Sequence, residues 1–161
     1  MKLPRLADRR ASACSARDRA VGVVFSSSSY QLQTCTTNLG ATRDGNRGHA
    51  TLKHCLVHIK DEQGKPLRTF SIGRDGLGPE GNADVPSSRC DAPISGISEA
   101  QVSRFERSMQ ACADAGYEWG ERDCCSCIER AFADGLEREA PAGVRGAAAE
   151  LASVPDPLGG T

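Results

Sequence analysis

The stretch Tyr117–Phe132, with the sequence YEWGERDCCSCIERAF, decides the predicted fold. It begins as a loop with two aromatic residues and runs into a helix, with Asp123 at the position that favours an N-cap. Apolar residues then recur at helical spacing, which predicts one buried helix face: Ile128, Phe132 and Leu136. The first turn carries three cysteines: Cys124, Cys125 and Cys127. A thiol there meets unpaired backbone N–H groups and the positive end of the helix dipole, and both favour the reactive thiolate.

The strongest strand pattern lies upstream, at Thr51–Lys60, which is rich in β-formers and contains neither Gly nor Pro. The short turn Asp61–Lys65 follows, and Leu67–Ile72 resumes the alternation, so residues 51–72 are predicted to form a β-hairpin. Further strands are predicted at Val21–Phe25 and Tyr30–Thr36. Loops are predicted over residues 38–48 and 73–96, where Gly, Pro, Asn and Asp accumulate.

A capping-box pattern at Ser98–Gln101 predicts the start of another helix, which should end near Gly116. At 161 residues the chain has the length of one domain. We predict a disordered basic leader over residues 1–20, a domain over 21–140, and a flexible Ala/Gly/Pro-rich tail over 141–161. Within that tail, Ala147–Ser153 can form a loose helix.

Charge and hydropathy exclude several classes of function. The formal net charge of −1 gives no reason to expect nucleic acid or an anionic membrane as a partner. The longest apolar run, Val21–Phe25, is too short to span a bilayer. The first 20 residues lack the hydrophobic segment of a secretory signal, which leaves a cytoplasmic location or delivery without a signal peptide. Compartment and oligomeric state stay open.

The eight cysteines allow more than one chemistry. Without an export signal the expected state is reduced thiols, although an even count also fits disulfides. The CxxC pattern of Cys124 and Cys127 is a candidate zinc half-site, which Cys112 or the hairpin histidines could complete. A redox pair would need a strand before it, which Tyr117–Arg122 does not resemble. The Gly-rich segment at 73–78 lacks the Lys-Ser/Thr of a phosphate loop and is interpreted as a flexible rim.

A nucleophilic cysteine needs a neighbouring base, usually an imidazole. The chain has three histidines, of which His54 and His58 lie on the predicted strand and His49 just before it. Period-two geometry puts Cys55, Val57 and Ile59 on one face of this strand, and Leu52, His54, Leu56 and His58 on the other. His54 is the candidate base, and His49 replaces it if the strand register is shifted.

Two segments together resemble circularly permuted, papain-like proteins of the NlpC type. The first is the hairpin that begins at His54 and returns through Arg68–Gly73, and the second is Tyr117–Phe132. In that family a strand opens with the catalytic histidine, and an aromatic loop later leads to Asn-Cys at the head of the nucleophile helix. The resemblance covers roughly residues 50–136, and the histidine-before-cysteine order fits the permuted branch. That branch includes bacterial peptidases and amidases as well as lipid acyltransferases.

The resemblance implies a small α+β domain whose antiparallel sheet packs against a helix pair. It assigns Cys124 as the nucleophile and His54 as the base, with no metal or other cofactor. Asp123 departs from the family's Asn and places a negative charge beside the thiol, which opposes thiolate formation. The third, imidazole-orienting residue is not fixed by the resemblance. The candidates for it are His58, Ser71 and Asp91.

The expected function is therefore a thiol hydrolase, a peptidase or amidase that forms an acyl-enzyme on a peptide or peptidoglycan-type amide. Each residue also has an ordinary structural role available, since buried cysteines commonly serve as small core residues or disulfide partners. The alternative is a non-catalytic cysteine-rich binding module held by zinc or disulfides. Its zinc ligands would be Cys112, Cys124 and Cys127.

Overall fold

The structure, a computed structural model, describes residues 28–40, 49–79 and 88–157. Within these residues the chain forms an α+β domain with one antiparallel sheet of six strands and three helices, which confirms the predicted fold class. The strands are β1 (Ser29–Leu39), β2 (His49–Lys60), β3 (Pro66–Gly73), β4 (Gly76–Pro79), β5 (Arg89–Cys90) and β6 (Ile94–Ser98). The helices are α1 (Glu99–Asp114), α2 (Cys124–Leu136) and α3 (Ala142–Ser153).

The predicted hairpin is confirmed as β2 and β3, and the strand predicted at Tyr30–Thr36 lies within β1. The order across the sheet is β4-β3-β2-β1-β5, and β6 also pairs with β1. The hairpin turn is held by the Asp61 carboxylate, which accepts hydrogen bonds from the backbone N–H groups of Gln63 and Lys65. Gly64 supplies the positive φ of 82° that this turn requires.

The prediction of a loop over residues 73–96 is wrong in part, because β4, β5 and β6 contain residues of this segment. Gly76 adopts a φ of 101°, and the chain turns back there so that β4 pairs with β3. At the other end of the sheet, β5 and β6 both pair with β1. The strands β5 and β6 depend on a partner distant in the chain, which Gly- and Pro-rich local sequence does not reveal.

Both predicted helix starts are confirmed. Ser98 and Gln101 form the capping box of α1, and Asp123 is the N-cap of α2. The two helices approach closely where Gly135 faces α1, since a Cβ on Gly135 would lie 2.6 Å from Phe105 Cα. Phe105 and Phe132 meet edge to face there, with ring centroids 5.3 Å apart.

The division that ended the domain at residue 140 needs correction. The helix suggested at Ala147–Ser153 begins earlier, as α3, and it contributes four buried side chains to the core rather than lying in a flexible tail: Val144, Ala147, Ala148 and Leu151. These small and medium side chains share one helix face, so the segment packs despite its Ala/Gly-rich composition. The predicted leader and the predicted strand Val21–Phe25 lie outside the described residues.

The sheet has two chemically distinct faces. We call the side of β1 and β2 that carries Leu32, Val57 and Ile59 the helix face, because these residues share the core with all three helices. We call the opposite side the far face; there the β1–β2 register places Cys35 against Leu56 and Gln33 against His58. This division agrees with the predicted faces of β2 for Cys55, Val57 and Ile59 and for Leu56 and His58. Leu52, which was predicted on the far face, instead belongs to the core cluster shared with the helices. None of the helices in the described part of the chain is both long and apolar enough to cross a membrane.

Candidate functional site

Six of the seven cysteines that the structure describes form disulfides, so the expectation of reduced thiols is wrong for them. The pairs are Cys35–Cys90, Cys55–Cys125 and Cys112–Cys127. The last of these bonds contradicts the alternative zinc set of Cys112, Cys124 and Cys127, because two of its three ligands are bonded to each other. Cysteine spacing does not determine pairing, which explains why the sequence did not reveal it. Cys14 lies outside the described residues.

Cys124 is the cysteine that this pairing leaves free. It is the first residue of α2, and its side chain is buried on the helix side of β2, with 3% exposed. The backbone N–H of Cys55 donates a hydrogen bond to Cys124 Sγ at 3.3 Å. The same sulfur lies 3.8 Å from Sγ of Cys125, whose disulfide to Cys55 fastens α2 to β2.

The sulfur reaches the backbone of β2 because β3 separates from β2 at this point. The ladder between these strands ends at the pair Val57 and Phe70. Beyond it, the Ser71 hydroxyl donates to the Cys55 carbonyl at 2.5 Å. Cys124 Sγ and Ser71 Oγ therefore satisfy the backbone groups of Cys55 that β3 would otherwise pair.

His54 stands next to this contact in the chain. The N–H that binds Cys124 Sγ belongs to the peptide bond between His54 and Cys55, so the structure brings the predicted nucleophile to the backbone of the predicted base. The His54 side chain is partly exposed and alternates away from Cys55, towards the face where its cross-strand partner Thr37 lies. His49 begins β2. Its side chain falls outside the described part of the chain.

The three candidates for a third catalytic group make other contacts. Ser71 donates to Cys55, as described above, and His58 Nδ1 lies 2.6 Å from the Thr69 hydroxyl. Asp91 accepts a hydrogen bond from the Thr34 hydroxyl at 3.0 Å. It lies against the first turn of α3, where a Cβ on Gly143 would come within 2.9 Å of its carboxylate.

Asp123 is fully buried and its carboxylate is saturated with donors. Oδ1 accepts from the backbone N–H groups of Cys125 and Ser126 and from the Ser126 hydroxyl, each at 2.9 Å. Oδ2 accepts from the N–H of Gly120, also at 2.9 Å, and so ties the aromatic loop to the helix. An asparagine has a single acceptor oxygen, which accounts for an aspartate at this position.

The sequence does not predict a further set of contacts near the Cys124 sulfur, which involves Tyr117, Arg74 and Asp156. Burial of the Tyr117 ring, together with the negative charges of Cys124 and Asp123, raises the pKa of this phenol. The Arg74 guanidinium lies 5.4 Å from the centre of the same ring and forms an ion pair with Asp156.

The aromatic loop is also joined to the end of α3. Trp119 Nε1 donates to the carbonyl oxygen of Val154 at 2.9 Å. Val154, which follows α3, thus lies against the loop that precedes α2. The sequence shows the two aromatic residues of this loop but predicts no partners for them.

A second cluster of sulfur and imidazole lies on the far face. One ligand atom each from Cys35, His58 and Cys90 lie within 4.8 Å of one another. Cys35 and His58 are buried, whereas Cys90 is exposed. On the helix side, Asp123, Cys124 and Cys125 form a similar group, but all three are buried and the Asp123 oxygens already hold four donors.

Comparison of the chain with protein-family models, with curated proteins and with solved structures finds no match.

Proposed function

We propose that the chain is a thiol hydrolase in which Cys124 is the nucleophile. The ring of His54, the base expected from the sequence, is directed to the opposite face of the sheet from the Cys124 sulfur, so we assign it no proton-transfer role. The single observation that carries this proposal is the identity of the cysteine left unpaired. Every described cysteine except Cys124 forms a disulfide. Cys124 is the first residue of α2, and its sulfur accepts a hydrogen bond from the peptide N–H between His54 and Cys55. A cysteine left over from the disulfides of the described residues is a candidate reactive thiol.

The surroundings of Cys124 include groups that interact favourably with negative charge developing on its sulfur during attack. Cys124 is the first helical residue of α2, so its sulfur lies at the positive end of that helix. The Cys55 N–H points at the sulfur and stabilises negative charge on it. The Asp123 charge beside it is shared among four hydrogen-bond donors, which weakens its repulsion of a thiolate.

In the proposed reaction the Cys124 sulfur attacks an amide carbonyl carbon, and the carbonyl π electrons move to oxygen. Collapse of this intermediate expels the amine, which takes up through water the proton that the Cys124 thiol lost, and leaves a thioester. A second water then adds to the thioester, which releases the acid and restores the thiol. The backbone N–H groups of Cys125 and Ser126 donate to the Asp123 carboxylate. The N–H of Cys124 does not bind Asp123, so it is the group at the N-terminus of α2 that can donate to the developing oxyanion.

The substrate class follows from the resemblance of the sequence, and is a peptide or peptidoglycan-type amide. Because only 3% of Cys124 is exposed, a carbonyl can reach the sulfur only when the covering side chains move. Tyr117 is a partly exposed residue near the sulfur. Its ring contacts Arg74, which forms an ion pair with Asp156, so movement of Tyr117 would disturb these contacts.

The test is alkylation of the folded, disulfide-intact chain in a Cys14→Ser background, with the modified residue located by mass spectrometry. We expect one iodoacetamide adduct, at Cys124, formed at least tenfold faster than with a denatured-state thiol model at neutral pH. Cleavage is measured on peptide-amide and peptidoglycan-fragment substrates. His54→Gln should leave both rates unchanged, because the His54 ring is directed to the other face of the sheet. Cys124→Ala should abolish cleavage.

His58→Gln is a second control, because it removes an imidazole from the same strand at a position bonded to Thr69. It should leave alkylation and cleavage unchanged. An alkylation rate at Cys124 no faster than that of the denatured-state thiol model would contradict the proposal.

A second candidate is a non-catalytic binding module braced by disulfides. The observation that favours it is the burial of Cys124 together with three cross-links among the described elements. It predicts that Cys124 resists alkylation until the chain unfolds, and that Cys124→Ala retains every binding property of the native chain.

A further inference from the structure

We propose that Cys35, Cys90 and His58 form a Zn²⁺ site on the far face when the disulfide between the two cysteines is reduced. This site is independent of the proposed hydrolase. Its three ligand atoms already lie within 4.8 Å of one another. A tetrahedral zinc ion with Zn–S bonds of about 2.3 Å holds its sulfur ligands about 3.8 Å apart, so the cluster fits one ion once the S–S bond opens.

The ligands come from three adjacent strands, which fixes their relative positions. Cys35 on β1 pairs directly with Cys90 on β5, and His58 lies on the neighbouring strand β2, opposite Gln33. Sites built on strands hold their ligands more rigidly than sites built on loops. Opening the disulfide requires a change of the exposed Cys90 side chain, whereas Cys35 and His58 stay where the sheet places them.

A fourth strand orients the imidazole. The hydroxyl of Thr69 on β3 lies 2.6 Å from His58 Nδ1, so Nε2 is the nitrogen directed to a metal in this arrangement. Hydrogen bonds of this kind orient metal-bound histidines and raise metal affinity. Two cysteines and one histidine leave the fourth zinc position to water.

The redox step balances with a low-molecular-weight thiol as the reductant. A first thiolate attacks Sγ of the exposed Cys90, the S–S bond breaks, and Cys35 leaves as a thiolate. A second thiolate attacks the mixed disulfide on its small-molecule sulfur and releases Cys90. Two electrons pass from two small thiols to the Cys35–Cys90 bond, and the products are one small-molecule disulfide and two protein thiols. Zinc binding then displaces two protons from the thiols.

Accessibility separates this disulfide from the other two. Cys90 is exposed, whereas both sulfurs of Cys55–Cys125 and both of Cys112–Cys127 belong to buried residues. A hydrophilic reductant should therefore open Cys35–Cys90 first. The far-face site can be loaded while the cross-links of the helix face stay intact.

The experiment uses the full chain with Cys14→Ser. Dithiothreitol is raised until alkylation and peptide mapping show Cys35 and Cys90 reduced and the other two disulfides intact. The reductant is then removed without oxygen, and Zn²⁺ is titrated in competition with a chromogenic chelator. We expect one zinc per reduced chain and none at this site in the oxidised chain.

Variants assign the ligands. Cys90→Ser should weaken zinc binding by at least a hundredfold, and His58→Gln should weaken it measurably. Thr69→Val should weaken it about tenfold to a hundredfold through the orientation of the ring. His54→Gln is the matched control and should bind zinc as the native chain does.

The proposal is overturned if the reduced native chain binds no zinc, or if Cys90→Ser binds it with native affinity. If the three disulfides open together, the fully reduced native chain is compared with the Cys35→Ser/Cys90→Ser variant. One zinc fewer in the variant supports the site, and equal zinc in both chains overturns it. Because Cys124 alkylation is measured separately, failure of this site leaves the hydrolase proposal standing.

Discussion

The two faces of the β1–β2 strand pair carry sulfur clusters of similar composition and opposite accessibility. On the helix face, Cys55–Cys125 and Cys124 are buried in the core beneath α2. On the far face, Cys35–Cys90 reaches the surface through an exposed cysteine and has an imidazole beside it. The comparison shows that the reactivity of a cysteine depends on its burial and on the charges and hydrogen-bond donors around its sulfur.

The largest expected difference between the faces is in stability. The disulfides Cys55–Cys125 and Cys35–Cys90 span 70 and 55 residues, so the chain-entropy model gives each about 4 kcal/mol. Replacing both residues of the helix-face pair by Ala also removes two sulfurs from the core and leaves a cavity. We expect Cys55→Ala/Cys125→Ala to lose more free energy of unfolding than Cys35→Ala/Cys90→Ala, measured by urea titration without reductant.

The pair Cys112→Ala/Cys127→Ala provides the control for loop length. Its 15-residue separation gives about 3 kcal/mol in the same model, and both residues are buried. Equal losses for the helix-face and far-face pairs would show that burial adds nothing to loop closure here.

The next largest effect concerns the hydrogen bonds of the Asp123 carboxylate, beside the helix-face sulfur of Cys124. Asp123→Asn keeps the shape of the side chain but replaces one acceptor oxygen by an NH₂ group that faces a backbone N–H. We expect a loss of about 1–3 kcal/mol in the free energy of unfolding, because a buried donor then lacks its acceptor.

Asp134→Asn is the matched control, since Asp134 is exposed and accepts a single hydrogen bond from Ser108. Its effect should stay within about 0.5 kcal/mol. A loss no larger for Asp123→Asn than for this control would refute the account of Asp123 as the residue that ties the aromatic loop to α2.

The sequence predicted the elements whose signals are local. The Asp123 cap, the Ser98 capping box and the β2–β3 hairpin each depend on residues a few positions apart, and all three are confirmed. Period-two alternation also separated Cys55 from His58 onto different faces correctly.

The parts that failed depend on contacts between distant segments. Disulfide partners lie as far as 70 residues apart, and no spacing rule selects them. The strands β5 and β6 exist because β1 pairs with them, and α3 is ordered by burial of Val144 and Leu151 in the core. The role of Cys124 as the nucleophile stays a prediction, because its chemistry has to be measured.

The smallest expected effect sharpens the electrostatic side of the comparison. Burial, with the nearby charges of Cys124 and Asp123, raises the pKa of Tyr117 above its ordinary value near 10. The unfolded chain therefore releases the phenol proton at a lower pH than the folded chain does. It follows that this group destabilises the fold as the pH rises above 10 and has no effect on the pH dependence well below it.

Between pH 8 and pH 11 the native chain should lose more free energy of unfolding than Tyr117→Phe. Tyr30→Phe is the matched control. In a titration followed by the ultraviolet absorbance of phenolate, the tyrosine that ionises at the higher pH should be missing only in Tyr117→Phe. Identical pH profiles for the native chain and Tyr117→Phe would place Tyr117 away from the negative groups at the head of α2.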